Sequence, residues 1–321
     1  MTMTTTANPL TLGKATREAY GEALRDLGKA NPNIVVIDAD LAKSTFSWTF
    51  GKEYPERFFN IGIQEANMGG IASGLASSGK IPFISSFAAF ILCKGFDQLR
   101  MGAAYPKLNV KVAGSHGGIS IGEDGVSQQS VEDVALACAL PGFLVCIPSD
   151  EHTMRAAVRA AAEHQGPVYL RLGRPKTYIV HEPSVHFEFG RAIELRDGNA
   201  LTIVANGLLV AQALIAADTL SKRGIEARVL DMHTVKPLDT AALERASHET
   251  GAFVVAEEHM HHGGLGSAVA QALVAGTPAP VEYVDLGDRY AESGKPDDLL
   301  EKYGMTAKHI VAAADRVLAR K

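Results

Sequence analysis

The residues best equipped for chemistry crowd into one stretch, Gly114–Gln129. From Gly114 to Gln128 it holds five glycines, His116, the acids Glu123 and Asp124, and Gln128. Long polar loops inside compact α/β domains usually carry function, and glycine lets backbone approach a polyhydroxylated ligand closely. A calcium loop would need more oxygen ligands at EF-hand spacing. Glu65 is a second candidate, in Gly62-Ile63-Gln64-Glu65-Ala66-Asn67-Met68. An acid at a strand-to-helix junction either balances the helix dipole or aims a carboxylate at a heterocyclic nitrogen, and the residues alone leave both open. Ser86-Phe87-Ala88-Ala89-Phe90 sets two aromatics around small residues in a loop after a strand. Alone it reads as core, with an aromatic floor for a flat ring as the alternative. His262-Gly263-Gly264-Leu265-Gly266 reads as a packed glycine turn in preference to an anion site. His259, His261 and His262 match no helical or strand spacing for a metal, and no metal ligand is assigned. Neither GxxxxGK(S/T) nor a post-strand GxGxxG occurs, so no nucleotide fingerprint is present.

These groups are scattered along the chain, so regular structure has to gather them. Ala15–Ala30 places Ala19, Tyr20, Ala23, Leu24 and Leu27 on one helical face, and Asn31-Pro32-Asn33 stops it. Ile34–Ile37, short and β-branched, reads as a buried strand. Further strands are expected at Ile81–Ile84, Asn109–Ala113, Phe143–Ile147 and Pro167–Leu172. Helices are expected at Glu65–Ser78, Ile91–Tyr105, Glu151–His164 and up to Leu140 from a capping-box-like start, Ser130-x-x-Asp133. Gly173–Gly190, with Pro175 and Pro183, breaks the rhythm. Strands then return at Leu201–Ala205, Ile225–Leu230, Ala252–Ala256 and Val281–Leu286, alternating with helices to the end. The expected fold class is α/β, with two successive domains of mainly parallel sheet and helices on both faces. The domains are residues 12–173 and 191–321, joined by a linker over 174–190. In open sheets of this kind ligands gather beyond the carboxyl ends of strands.

The chain has 321 residues, 46% hydrophobic and 21% charged, enough for a sizeable core. Its 31 Lys and Arg against 36 Asp and Glu give a net charge of -5, which opposes general nucleic-acid binding. Three cysteines without a CxxC pair oppose a disulfide framework or a structural zinc. Met1–Leu10 is Thr-rich and polar, unlike a signal peptide. The longest apolar runs are too short to span a bilayer. A cytoplasmic protein with no membrane partner is expected.

Taken in order, these stretches resemble transketolase. The likeness rests on Ala15-Thr16-Arg17, Ser44-Thr45-Phe46-Ser47, Ile63–Met68, Ser86–Phe90, the Gly114–Gln128 loop and Arg171-Leu172-Gly173-Arg174-Pro175. Val235-Lys236-Pro237-Leu238-Asp239 and the Glu257–Gly266 region extend it. It runs from about Leu12 to the end and covers the family's pyrimidine-binding and C-terminal domains. The family's Gly-Asp-Gly…Asn motif, which holds thiamine diphosphate and Mg²⁺, does not occur here. The resemblance therefore implies the C-terminal subunit of a split transketolase. An N-terminal partner subunit would carry the diphosphate and Mg²⁺ ligands, in an α2β2 heterotetramer.

The same resemblance implies roles for single residues. Glu65 would activate the cofactor by bonding N1′ of its aminopyrimidine. Phe87 and Phe90 would wall that ring, with Gln128 near its amino group and Asp40 near a cofactor-facing acid. His116 and Asp124 match residues that bond sugar hydroxyls, and Arg17, Ser44 and Arg174 match the cluster for the sugar's terminal phosphate. Cys93 receives no role. The implied reaction moves a two-carbon ketol unit from a ketose phosphate to an aldose, as in pentose phosphate metabolism. The β subunit of a 2-oxo acid dehydrogenase has an equivalent Glu, but its substrates give Arg17, Ser44 and Arg174 nothing to bind. The synthase of 1-deoxyxylulose 5-phosphate is normally one long chain. A non-catalytic homologue would not need Glu65 together with the sugar-facing set. The resemblance admits phosphorylated, sulfonated and otherwise modified sugars.

Overall fold

A computed structural model describes residues 10–321. The reading of Met1–Leu10 as no signal peptide lies, apart from Leu10, outside the described residues. The strands, numbered along the chain, are β1 Leu12–Ala15, β2 Ile34–Asp38, β3 Phe58–Asn60, β4 Ile81–Phe87, β5 Lys111–Ser115, β6 Leu144–Cys146 and β7 Val168–Arg171. They continue as β8 Lys176–Tyr178, β9 Ile193–Arg196, β10 Leu201–Ala205, β11 Ala227–Asp231, β12 Thr234–Lys236, β13 Phe253–Ala256 and β14 Val281–Val284. The first large sheet has the order β12-β6-β7-β5-β4-β2-β3 and the second β14-β13-β10-β11-β9. Both are parallel except for β12 and β9, which join antiparallel at an edge. The protein is thus α/β, with two sheets flanked by helices.

Strand alternation sorts the core. Ile34, Val36, Phe83, Val168 and Leu170 face Tyr20, Leu24 and Met154. Ile37, Ile84, Val112 and Tyr169 face Met68, Ile91 and Leu99 on the other side. That second layer continues through Met232, Val235, Phe253 and Val255, so the two domains share a core. The period predicted for the first helix is met: in Thr16–Ala30, Ala19, Tyr20, Ala23 and Leu24 are buried.

Some expectations need correction. β4 runs on to Phe87, so Ser86 and Phe87 are strand residues rather than loop. The helix expected over Ile91–Tyr105 is Ala88–Gln98 followed by a wider turn, Leu99–Ala104. No capping box forms at Ser130 and Asp133; helix Asp133–Ala139 starts without a side-chain cap, because Asp133 is taken by Arg171. The capping box lies at Asp150, which accepts from the Thr153 N–H at 2.9 Å, while Thr153 Oγ accepts from the Asp150 N–H at 3.1 Å. The stretch after Gly173 contains β8, antiparallel to β1. No described helix is long and apolar enough to cross a membrane.

Candidate functional site

The carboxyl ends of β2, β4, β5 and β7 open on one side of the first sheet, as parallel pairing requires. Helix Glu65–Ser77 starts there with Glu65 as its first residue, so the carboxylate sits at the positive end of the helix. Glu65 is buried. Its Oε1 accepts from Ser86 Oγ at 3.1 Å, and Lys94 Nζ lies 3.8 Å from Oε2. The Lys94 ammonium also stands 4.6 Å from the Phe90 ring centre. Phe90 stacks on Phe87 at 5.5 Å, and Phe87 on His116 at 3.9 Å. One aromatic row therefore links the Glu65 niche to a second cluster.

That cluster is cationic. Arg17 Nη1 donates to the Ser44 carbonyl at 2.7 Å and Nε to the Arg174 carbonyl at 3.3 Å. Ser44 thus joins the arginines through its backbone; its hydroxyl is not the group that bonds Arg17. The contact is prepared by Asp38 at the end of β2, whose buried carboxyl accepts from the Leu41 N–H and from the hydroxyls of Thr45 and Ser47 at 2.6–2.8 Å. Burial raises the Asp38 pKa in spite of those bonds. Arg174 Nη1 donates to the Ile121 carbonyl and to Glu123 Oε2, the latter at 2.9 Å. His116 is buried, with Nδ1 2.8 Å from Ser115 Oγ and Nε2 3.5 Å from Arg17 Nη1. Burial, then the charges of Arg17 and Arg174, bring its pKa down to about 3.

Three expected site residues make none of these bonds. Asp40 is exposed at positive φ and accepts from Asn60 Nδ2 at 3.0 Å. Asp124 is exposed on the turn Gly122–Asp124. Gln128 accepts from the Ser127 hydroxyl. Among the described residues, none of the three bonds to Glu65 or to the arginines.

Sequence reasoning missed what holds the Gly114–Gln129 loop in place. Glu258, in the second domain, accepts from the Ser120 N–H at 2.5 Å and from Ser120 Oγ at 3.2 Å. Gly118, at φ +86, lies against that carboxylate with no room for a side chain. Burial pushes the Glu258 pKa up to about 6. Arg171 grips Asp133 with two bonds, 2.7 and 3.0 Å, and donates to the carbonyls of Ser130 and Glu258 at 2.9 Å. The signal available was the pair Glu257-Glu258 directly after a strand, where alternation sends the two acids opposite ways. Glu257 accepts from the Leu265 and Gly266 N–H groups at 2.8 and 2.7 Å. The helix start at His262–Gly266 is therefore filled by the chain's own carboxylate, as a packed turn. His259 is bonded to Met260 and Ala135, and His261 to Asp285. Among the described residues no group of three or more His, Cys, Asp or Glu is placed to hold a metal.

Residues 13–178 match the family profile of the transketolase pyrimidine binding domain, and residues 190–310 that of the transketolase C-terminal domain. The chain is 43% identical to a putative transketolase C-terminal section from Methanocaldococcus jannaschii, over 92% of this chain and 94% of that protein. It is 42% identical to a 6-deoxy-6-sulfo-D-fructose transketolase subunit from a Clostridium species, over 95% of each. A solved structure described as a split-gene transketolase, an inactive β4 tetramer, superposes with a TM-score of 0.90. That protein is 50% identical, and the match covers 96% of this chain and 99% of that one.

Proposed function

The chain belongs to the transketolase family, and from that premise we propose that it is the C-terminal subunit of a thiamine-diphosphate-dependent transketolase. Its reaction would move a two-carbon ketol unit from a ketose bearing a terminal anion to an aldose. One observation carries the reading: a buried carboxylate and stacked phenylalanines share a sheet end with a cluster of two arginines and a histidine. A 2-oxo acid dehydrogenase would leave that cluster without a ligand.

The residues suit the pyrimidine end of the cofactor. Thiamine diphosphate, when bound, supplies the ring carbon that takes up the ketol unit. Glu65, held by Ser86, would accept from protonated N1′ and keep that proton in place. Phe87 and Phe90 would flank the ring, and Lys94 would have to yield the space over Phe90. Arg17 and Arg174 would bind the sugar's terminal anion with paired N–H groups. We assign Asp124, Gln128 and Asp40 to the remaining polar edge of the site, and Mg²⁺ with its diphosphate to an N-terminal partner subunit.

The names of the similar proteins, a C-terminal section, a subunit and a split-gene chain, support such a partner. The inactive β4 state of the split-gene relative fits a chain that does not act alone. We infer an α2β2 assembly with the cofactor between chains. The pyrimidine-binding domain is assigned to residues 12–173 and the C-terminal domain to residues 191–321. The free thiols of Cys93, Cys138 and Cys146 suit a reducing cytoplasm. The sulfo-sugar relative puts sulfonated ketoses beside phosphorylated ones as candidate donors.

The test is hydrogen–deuterium exchange at cofactor C2 with partner present. Glu65→Gln should fold normally, slow exchange by roughly two orders of magnitude or more, the scale of general acid–base help, and cut turnover by a similar factor for every donor. Exchange at the wild-type rate would remove Glu65 from activation. Wild-type chain without partner should show no ketol transfer.

A further inference from the structure

Glu123 lies where a substrate anion would have to bind. Its carboxylate pairs with Arg174 at 2.9 Å, and the side chains are 59% and 34% exposed respectively. Arg174 stands beside Arg17, and His116 at their side, neutral or protonated, cannot supply the negative charge that two guanidinium groups call for. Glu123 supplies it: its own backbone N–H, then Arg174, hold its carboxyl below the ordinary pKa. The Glu123 side chain is itself exposed. It rides on the short turn Gly122–Asp124, between Gly122 and Gly125, both at positive φ. Ion pairs this exposed are weak, and Glu123 reaches Arg174 through one oxygen on Nη1, whereas a phosphate or sulfonate terminus can offer two oxygens at once.

We propose that Glu123 is a stand-in for the terminal anion of the sugar, occupying Arg174 in the free chain and giving way when a phosphate or sulfonate terminus enters. The inference rests on Arg17 and Arg174 being the terminal-anion pocket. Displacement moves the side chain next to Asp124, so arrival of the anion at one end of the sugar is felt where a hydroxyl would be bound. Glu123 is thereby a positioning residue whose effect has a definite sign. A carboxylate that competes with the ligand weakens binding, and one that merely aims Arg174 strengthens it.

Inorganic phosphate and methanesulfonate, titrated into the full chain and followed by NMR, separate these cases. Glu123→Gln should tighten at least one probe by roughly two- to five-fold, the worth of an exposed pair. Arg174→Ala should lose it; Arg174→Gln replaces that variant if the alanine form melts early. A gain for both probes marks a pocket open to either terminus, and a gain for one alone identifies its terminus. Unchanged or weaker binding in Glu123→Gln, with Arg174→Ala still losing the probe, overturns the stand-in and spares the pocket. Wild-type binding in Arg174→Ala removes the pocket and the stand-in together. In the assembled enzyme, Glu123→Gln should lower KM for an anion-terminated sugar by the same factor and leave that for hydroxypyruvate unchanged.

Discussion

Arginine offers only donors, so the ring nitrogen that faces Arg17 must accept. His116 therefore carries its proton on Nδ1, donating to Ser115 Oγ, and presents the Nε2 lone pair to the cluster. A ring of that kind suits a sugar hydroxyl, which can donate, better than an anion, which cannot. With its pKa at about 3, His116 should stay neutral through the range in which histidines ordinarily titrate. Its imidazole NMR shifts should be flat from about pH 5 to 8, and a titration in that window would contradict the neutral ring. Arg17→Ala should lift the pKa only in part, since burial is the larger cause. At this scale residue type alone left Glu65 with two readings and Phe87 and Phe90 as core, and Arg17 and Arg174 stood out only through the ordered motifs of the family resemblance. The partners of Arg174 and Ser120 were not legible, since Glu123 and Glu258 lie 51 and 138 positions away in the chain.

Two lysines close helices in the same manner. Lys236 Nζ donates to the carbonyls of Cys138 and Leu140 at 2.9 and 2.7 Å, where helix Asp133–Ala139 ends. Lys111 Nζ, at the start of β5, donates to the carbonyls of His164 and Gly166 at 2.8 and 2.7 Å, where helix Glu151–Glu163 ends. A cation is favoured at that end of a helix, but burial brings the Lys111 pKa down to about 7. The unfolded chain, near 10.4, binds more protons than the folded one between those values, so stability should rise with pH across that window. The penalty is fully present below the folded pKa and is relieved as pH climbs to the unfolded one, to the extent of a few kcal/mol. Urea titrations at pH 7 and 9.5 should show the gain in wild type and lose it in Lys111→Met; equal slopes in both would exclude Lys111 as its source. The long helices were legible from their 3.6-residue period. Strands of three residues such as β3, β8 and β12 give no period to read, and the capping box was misplaced because Ser130 and Asp133 have the right types but Arg171 competes for the acid.

The alternation of strands and helices made the α/β class legible, but not that β12 of the second half completes the sheet of the first. Beside β6, Thr234 pairs with Cys146 and Lys236 with Val145, and the shared core and Glu258 bind the halves further. Residues 1–190 expressed alone would expose the β6 edge and the apolar face beneath it, which favours edge-to-edge association. That fragment should aggregate or melt without cooperativity in scanning calorimetry; a monomer with one sharp transition would contradict the interdependence. The crossing strand also bears on inheritance. A gene broken between the two halves yields products that each lack a partner for part of a sheet, whereas a break that leaves them joined separates no paired strands within this chain. The smallest piece recombination can hand on intact is therefore the pair of domains, not either one.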